Sequence, residues 1–132
     1  MSRTRRVVGI VAGVLILLSA VAHSVFGGAA MQKELAAARV PEDLLRGALV
    51  GWEFGGAAML AFGLIVLHAF ARQAGSSAVP LAPARVVAAT YLLFGAAALA
   101  VSDFDPFFLV FVVPGLLLAG ATWPHRATSP AG

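Results

Sequence analysis

Long apolar stretches separated by short polar ones dominate the chain. Four runs stand out: Val7 to about Gly27, Gly47 to Phe70, Val86 to Val101, and Phe107 to Trp123. A membrane-crossing helix needs about 20 mainly apolar residues, so the third run is short for a span unless its flanks contribute. None shows the two-residue alternation of a barrel strand, and the Ala, Leu and Gly content favours helix. The pattern predicts an all-α, integral membrane four-helix bundle, built as a single transmembrane domain over 1–132.

The joints carry turn and cap chemistry. Val40-Pro41-Glu42-Asp43 reads as the start of the second helix, with proline in the first turn and acids against the positive helix end. Asp105-Pro106 repeats this before the fourth helix, with Asp105 as N-cap. Gly75-Ser76-Ser77 and Pro80 to Pro83 make a turn-rich connector, and Thr128 to Gly132 read as a disordered tail. Pro114 falls inside the fourth helix, where it should kink the axis and free the carbonyl of Val110. Met31 to Ala38 either extends the first helix or lies on a surface.

Composition strengthens the membrane reading. Of the residues 61% are hydrophobic and 11% charged, against about 25% charged in soluble domains. The chain has no cysteine, which excludes disulfides, thiolate metal sites, iron–sulfur clusters and thiol redox chemistry. The net charge of +3 does not point to nucleic acid, because the basic residues are thinly spread and do not alternate with aromatics.

Charge also sets an orientation. Arg3, Arg5, Arg6, Arg72, Arg85 and Arg126 fall on the side shared by both termini, and Lys33, Arg39 and Arg46 on the other. The excess places both termini in the cytoplasm of a cell whose inner membrane the chain crosses. The acids Glu34, Glu42, Asp43, Asp103 and Asp105 lie in the opposite loops, and Glu53 in the outer half of the second helix. Arg72, Arg85 and the N-terminal arginines are expected at anionic headgroups. Tyr91, Trp123, His125 and His68 are expected near the cytoplasmic interface. A rival reading exists at the N-terminus, where Arg3-Thr4-Arg5-Arg6, an apolar stretch and Ala20-Val21-Ala22 resemble a secretory signal with its cleavage site. Apolar character continues past Ala22 to Met31, which favours a retained first helix.

Two glycine patterns suggest close helix contact. Gly47, Gly51 and Gly55 line one stripe of the second helix, and Gly9 and Gly13 form a second such spacing in the first. Small residues at this interval let backbones approach, either within one subunit or, as a possible homo-oligomer, between copies.

Glu53 carries the most chemistry. A carboxylate at the centre of a membrane helix costs roughly 2.5–3.5 kcal/mol on insertion scales, so it should face a partner, a cavity or a ligand. At 100° per residue it points away from the glycine stripe, on a face with Leu49, Val50, Gly56, Ala57 and Leu60. Helical rise sets His23, near the outer end of the first helix, at a matching depth. Ser19 lies one turn below His23, Trp52 is a cavity wall or an interfacial anchor, and Asp103 and Asp105 could close over this level. The expected site is therefore Glu53, His23, Trp52, Ser19, Asp103 and Asp105, as a helix-fixing hydrogen bond, a small-ligand or proton site, or a metal site. One histidine with scattered acids lacks metal-ligand spacing, and no metal is assigned. No nucleophile elbow, phosphate loop or HExxH motif is present, so no catalytic residue is assigned and no cofactor can be named.

With four spans, cytoplasmic termini and the run LLRGALVGWEFGGAAMLAFGLIVL, the chain resembles small bacterial four-helix membrane proteins of DoxX-like type. The resemblance implies the bundle and little about chemistry. Small multidrug transporters share the size and a single membrane glutamate, but carry it in the first helix rather than the second. The sequence thus predicts a non-enzymatic accessory or interaction subunit in the lipid bilayer. The alternative is a proton-coupled carrier or a binder of a lipophilic small molecule through Glu53 and His23.

Overall fold

A computed structural model describes residues 1–74 and 79–123. Among these, every regular element is helical. Helix α1 runs over Arg3–Ala37, with one turn of π-helix, His23–Gly27, set between α-helical Arg3–Ala22 and Gly28–Ala37. Helix α2 is Glu42–Ala71, α3 is Ala82–Val101, and α4 is Leu109–Thr122, entered through a 3-10 turn at Pro106–Phe108. Helices α1, α2 and α3 are long and apolar enough to cross a membrane; α4 is apolar but shorter.

The expected bounds need three corrections, at the end of α1 and at the starts of α2 and α3. Helix α1 continues past Gly27 because Gly28–Ala37 is itself good helix sequence, so Met31 to Ala37 is an extension. It stops where Arg39 turns left-handed at φ 55°. There the N–H of Val40 bonds the Leu35 carbonyl and that of Arg39 the Ala36 carbonyl, the Schellman pattern with arginine in the usual glycine place. Helix α2 begins at Glu42, five residues before Gly47, with Pro41 at the N-cap position just outside the first turn. Pro83 lies in the first turn of α3, which starts at Ala82 and reaches 20 residues, so it is not short. Asp105 caps the last element as the sequence suggests: its Oδ1 accepts the Phe107 N–H at 2.9 Å. Gly75-Ser76-Ser77, His125, Arg126 and Thr128 to Gly132 lie outside the described residues.

Helix α1 packs along α2 and also against α4; α4 pairs with α3, while α2 and α3 meet over a shorter length. Glycines set the closest approaches. Gly9 lies against the Phe70 ring, a Cβ on Gly13 would come within 2.8 Å of Leu67, and one on Gly63 within 2.6 Å of Leu17. Gly95 and Gly115 play the same part for α3 and α4, against Val112 and Leu92.

The buried core lies in the half of the bundle that holds the start of α1 and the end of α4, around Ile16, Val66, Phe70, Ala88, Tyr91 and Leu118. Tyr91 is 3% exposed, midway along α3, between Phe62 and Phe111. That corrects its expected place at an interface. Arg5 and Arg85 also have closer partners than headgroups. Arg5 donates to the carbonyls of Ala121 and Trp123, and Arg85 to that of Thr122 at 3.0 Å. Together they satisfy the open carbonyl end of α4, where positive charge is favoured.

Candidate functional site

The opposite half of the bundle is organised by His23 and Trp52. The π-turn begins at His23, whose carbonyl accepts the Gly28 N–H across five residues. The same carbonyl accepts the Trp52 indole N–H at 2.8 Å, using its second lone pair. In return, His23 Nε2 lies 3.0 Å from the Trp52 carbonyl. A carbonyl can only accept, so Nε2 carries the proton. The two rings stack with centroids 4.1 Å apart and planes 4° from parallel. The result is a reciprocal latch between α1 and α2.

Glycine pairs make room for it. A Cβ on Gly27 would approach the Trp52 ring to 2.7 Å, and one on Gly55 would approach His23 Nε2 to 3.3 Å. Gly56 lies against Ser24 Oγ, and Gly28 beside Glu53 Oε1. Each ring thus lies over the glycine pair of the facing helix.

This symmetry has a sequence signal that the helical-face reading missed. Phe26 to Met31 and Phe54 to Met59 are the same six residues, FGGAAM, 28 positions apart. Trp52 precedes its Gly-Gly by three residues and His23 precedes its own by four. The π-turn absorbs that extra residue, and single-turn π-bulges often mark functional sites. On antiparallel neighbouring helices, the repeated word brings the two ring-and-glycine units face to face.

Beside the latch lies a cavity of about 560 Å³, walled almost wholly by apolar atoms. Phe26 and Ala22 of α1, Trp52 and Met59 of α2, Phe94 of α3, and Phe107, Phe108 and Phe111 at the start of α4 line it. Ser19 and His23 are its polar side chains apart from the indole of Trp52. Phe94 and Phe111 meet edge to face across its wall at 4.8 Å. The volume and lining fit the usual small-molecule site, apolar with a few placed polar groups. A cluster of phenylalanines spread over three helices has no local spacing in the chain, so the expected site did not include it.

The structure brings Ser19, His23 and Trp52 to this cavity and places the acids elsewhere. Glu53 turns to the other side of the α1–α2 pair, where it is exposed and lines a separate, shallow groove. Its expected hydrogen bond with His23 is replaced by the Trp52 pairing, because one residue along a helix is a 100° turn. Asp105 is engaged by its cap, and neither Asp103 nor Asp105 lines the cavity. Asp103 and Phe104 form a left-handed turn at φ 51° and 62°. Among the described residues no group of three or more His, Asp or Glu could hold a metal ion.

The glycine stripe divides. Gly55 packs beneath His23, whereas a Cβ on Gly47 or Gly51 would meet nothing within 4 Å among the described residues. Gly9 and Gly13 pack against α2 within the chain. The fold and site define an all-helical protein of the kind whose helices can cross a membrane, with an aromatic cavity at one end of the bundle. Comparison with protein-family models, curated proteins and solved structures gave no match.

Proposed function

We propose that the chain is a small multi-pass protein of a bacterial inner membrane that holds a lipophilic molecule in the aromatic cavity beside His23. The observation that carries this reading is the cavity itself, with about 560 Å³ of apolar space and His23 and Ser19 at its wall. Its exposed lining residues, Ala22, Phe26 and Phe107 among them, leave it open at the side of the bundle. In a bilayer such an opening admits a ligand from the lipid phase.

Lengths support the membrane placement. The 20 residues of α3 rise about 30 Å, the thickness of a hydrocarbon core. Trp52, Phe107 and Phe108 share the cavity, so the latch stands level with the outer ends of α3 and α4. The rest of the α1–α2 hairpin, Gly28 to Gly51, then projects into the outer aqueous phase. Its polar residues, including the Glu42–Arg46 pair at 2.9 Å, suit that position. The arginine excess at the other end keeps both termini cytoplasmic. Four spans with this orientation are also what the DoxX-like resemblance implies.

The bound molecule is held rather than converted. His23 Nε2 is committed to a backbone carbonyl, and among the described residues no carboxylate lines the cavity. Proton coupling through a Glu53–His23 pair receives no support from a geometry that separates them. A second reading, an accessory subunit that pairs with another chain, rests on the open Gly47 and Gly51 stripe. The two readings are compatible. Mass spectrometry of the protein released from native membranes tests the first. A lipophilic small molecule should co-purify and be lost in Ala22→Phe, which fills the cavity from its wall. Equal occupancy in both proteins would overturn the reading.

A further inference from the structure

We infer that the groove containing Glu53 is a binding site for an outer-leaflet phospholipid bearing a primary ammonium, such as phosphatidylethanolamine. The groove is distinct from the aromatic cavity and lies on the opposite side of the α1–α2 pair, with a volume of about 320 Å³. Its chemistry is graded along the membrane normal. Helix α1 rises outward and α2 descends inward, so Ser24, Val25 and Glu53 form the outer end. Val21, Ala57 and Leu60 form the inner end. One end is therefore a carboxylate and a hydroxyl, and the other is apolar.

That grading is the shape of an amphiphile. Glu53 follows Trp52, which stands level with the outer ends of α3 and α4. On the membrane placement proposed above, on which this inference rests, its carboxylate lies where hydrocarbon gives way to headgroups. Among the described residues the carboxylate has no ion pair, and the sole salt bridge is Arg46 with Glu42. An ammonium there completes a charge-assisted hydrogen bond in a setting of low dielectric, while an acyl chain follows the inner groove. A choline headgroup carries the same charge without an N–H to donate, and a glycerol headgroup leaves the phosphate charge uncompensated.

Other occupants fit less well. A partner helix would have no need of the polar-to-apolar grading. A second copy related by a two-fold axis through this face would bring two Glu53 carboxylates together.

The test is lipid retention by the full chain in nanodiscs of equimolar phosphatidylethanolamine, phosphatidylcholine and phosphatidylglycerol, read by native mass spectrometry after release. The wild type should retain phosphatidylethanolamine over phosphatidylcholine by roughly tenfold, the factor expected of one charge-assisted contact. Glu53→Gln should erase that preference while keeping total lipid, and Ala57→Phe should remove the bound lipid of every headgroup. Helical circular dichroism confirms that each variant is folded. Equal retention of the three lipids by wild type, or an unchanged preference in Glu53→Gln, overturns the inference. So does a change in oligomeric state without a change in lipid, which assigns Glu53 to a protein partner. A chain that does not enter the bilayer contradicts the membrane placement itself, and this inference with it; the cavity is probed separately by Ala22→Phe.

Discussion

The imidazole of His23 lies flat on the indole of Trp52, 4.1 Å away, and each ring is hydrogen-bonded to the other residue's backbone carbonyl. Trp52→Phe keeps an aromatic ring for the stack and deletes the indole donor. It should destabilise the fold by about 1 kcal/mol, the worth of one net hydrogen bond. Combined with His23→Leu in a double-mutant cycle, it should show a coupling of about 0.5–3 kcal/mol. Reversible unfolding in mixed detergent micelles measures both. Strict additivity would mean that the two rings act independently.

Glycines of the α1–α2 pair should divide sharply by position. Gly27→Ala pushes a methyl into the Trp52 ring, where a Cβ would lie at 2.7 Å, and overpacking of this kind costs about 1–3 kcal/mol. Gly51→Ala meets open space and should stabilise the isolated chain by about 0.5–1 kcal/mol through helix propensity. If Gly51→Ala instead dissociates a dimer in a crosslinking assay, the open stripe is an interface.

Arg85 holds the carbonyl end of α4 through two nitrogens of its guanidinium, at 3.2 and 3.0 Å from the Thr122 carbonyl. Arg85→Leu should loosen that end, costing about 1–2 kcal/mol. Hydrogen exchange gives the location: amides of the last turn of α4 should lose protection while those around Gly115 keep theirs. Uniform loss along α4 would contradict a capping role.

Tyr91 buries a hydroxyl with no hydrogen-bond partner among the described residues. An unsatisfied polar group in such a place is a liability. Tyr91→Phe should therefore leave stability unchanged or raise it by up to about 1 kcal/mol, as read by thermal denaturation in detergent. A clear loss would show that the hydroxyl is engaged.

Much of the architecture was legible because it follows from one-dimensional pattern. Long apolar runs marked the four helices of the described residues, Asp105 before Pro106 announced its cap, and Gly9 with Gly13 announced a close helix contact. The helix ends were less legible. Arg39 ends α1 in a left-handed conformation that arginine seldom adopts, whereas Pro41-Glu42-Asp43 did mark the start of α2. The site was partly legible. Ser19, His23 and Trp52 do share a cavity, but Glu53 does not, because a depth comparison contains no rotation. The π-turn adds a further offset that no regular wheel includes. The phenylalanine walls depend on which helices become neighbours. Only the FGGAAM repeat offered a local clue to the latch.

The central claim, that the cavity beside His23 binds a lipophilic molecule, is tested most directly by Trp52 fluorescence. Trp52 and Trp123 are the two tryptophans of the chain, so Trp123→Phe leaves Trp52 as the single reporter at the cavity wall. Titration with a brominated lipophilic probe in nanodiscs should give saturable quenching of Trp52, abolished when Ala22→Phe fills the space. Quenching that rises linearly without saturation, or that Ala22→Phe leaves unchanged, would contradict the claim.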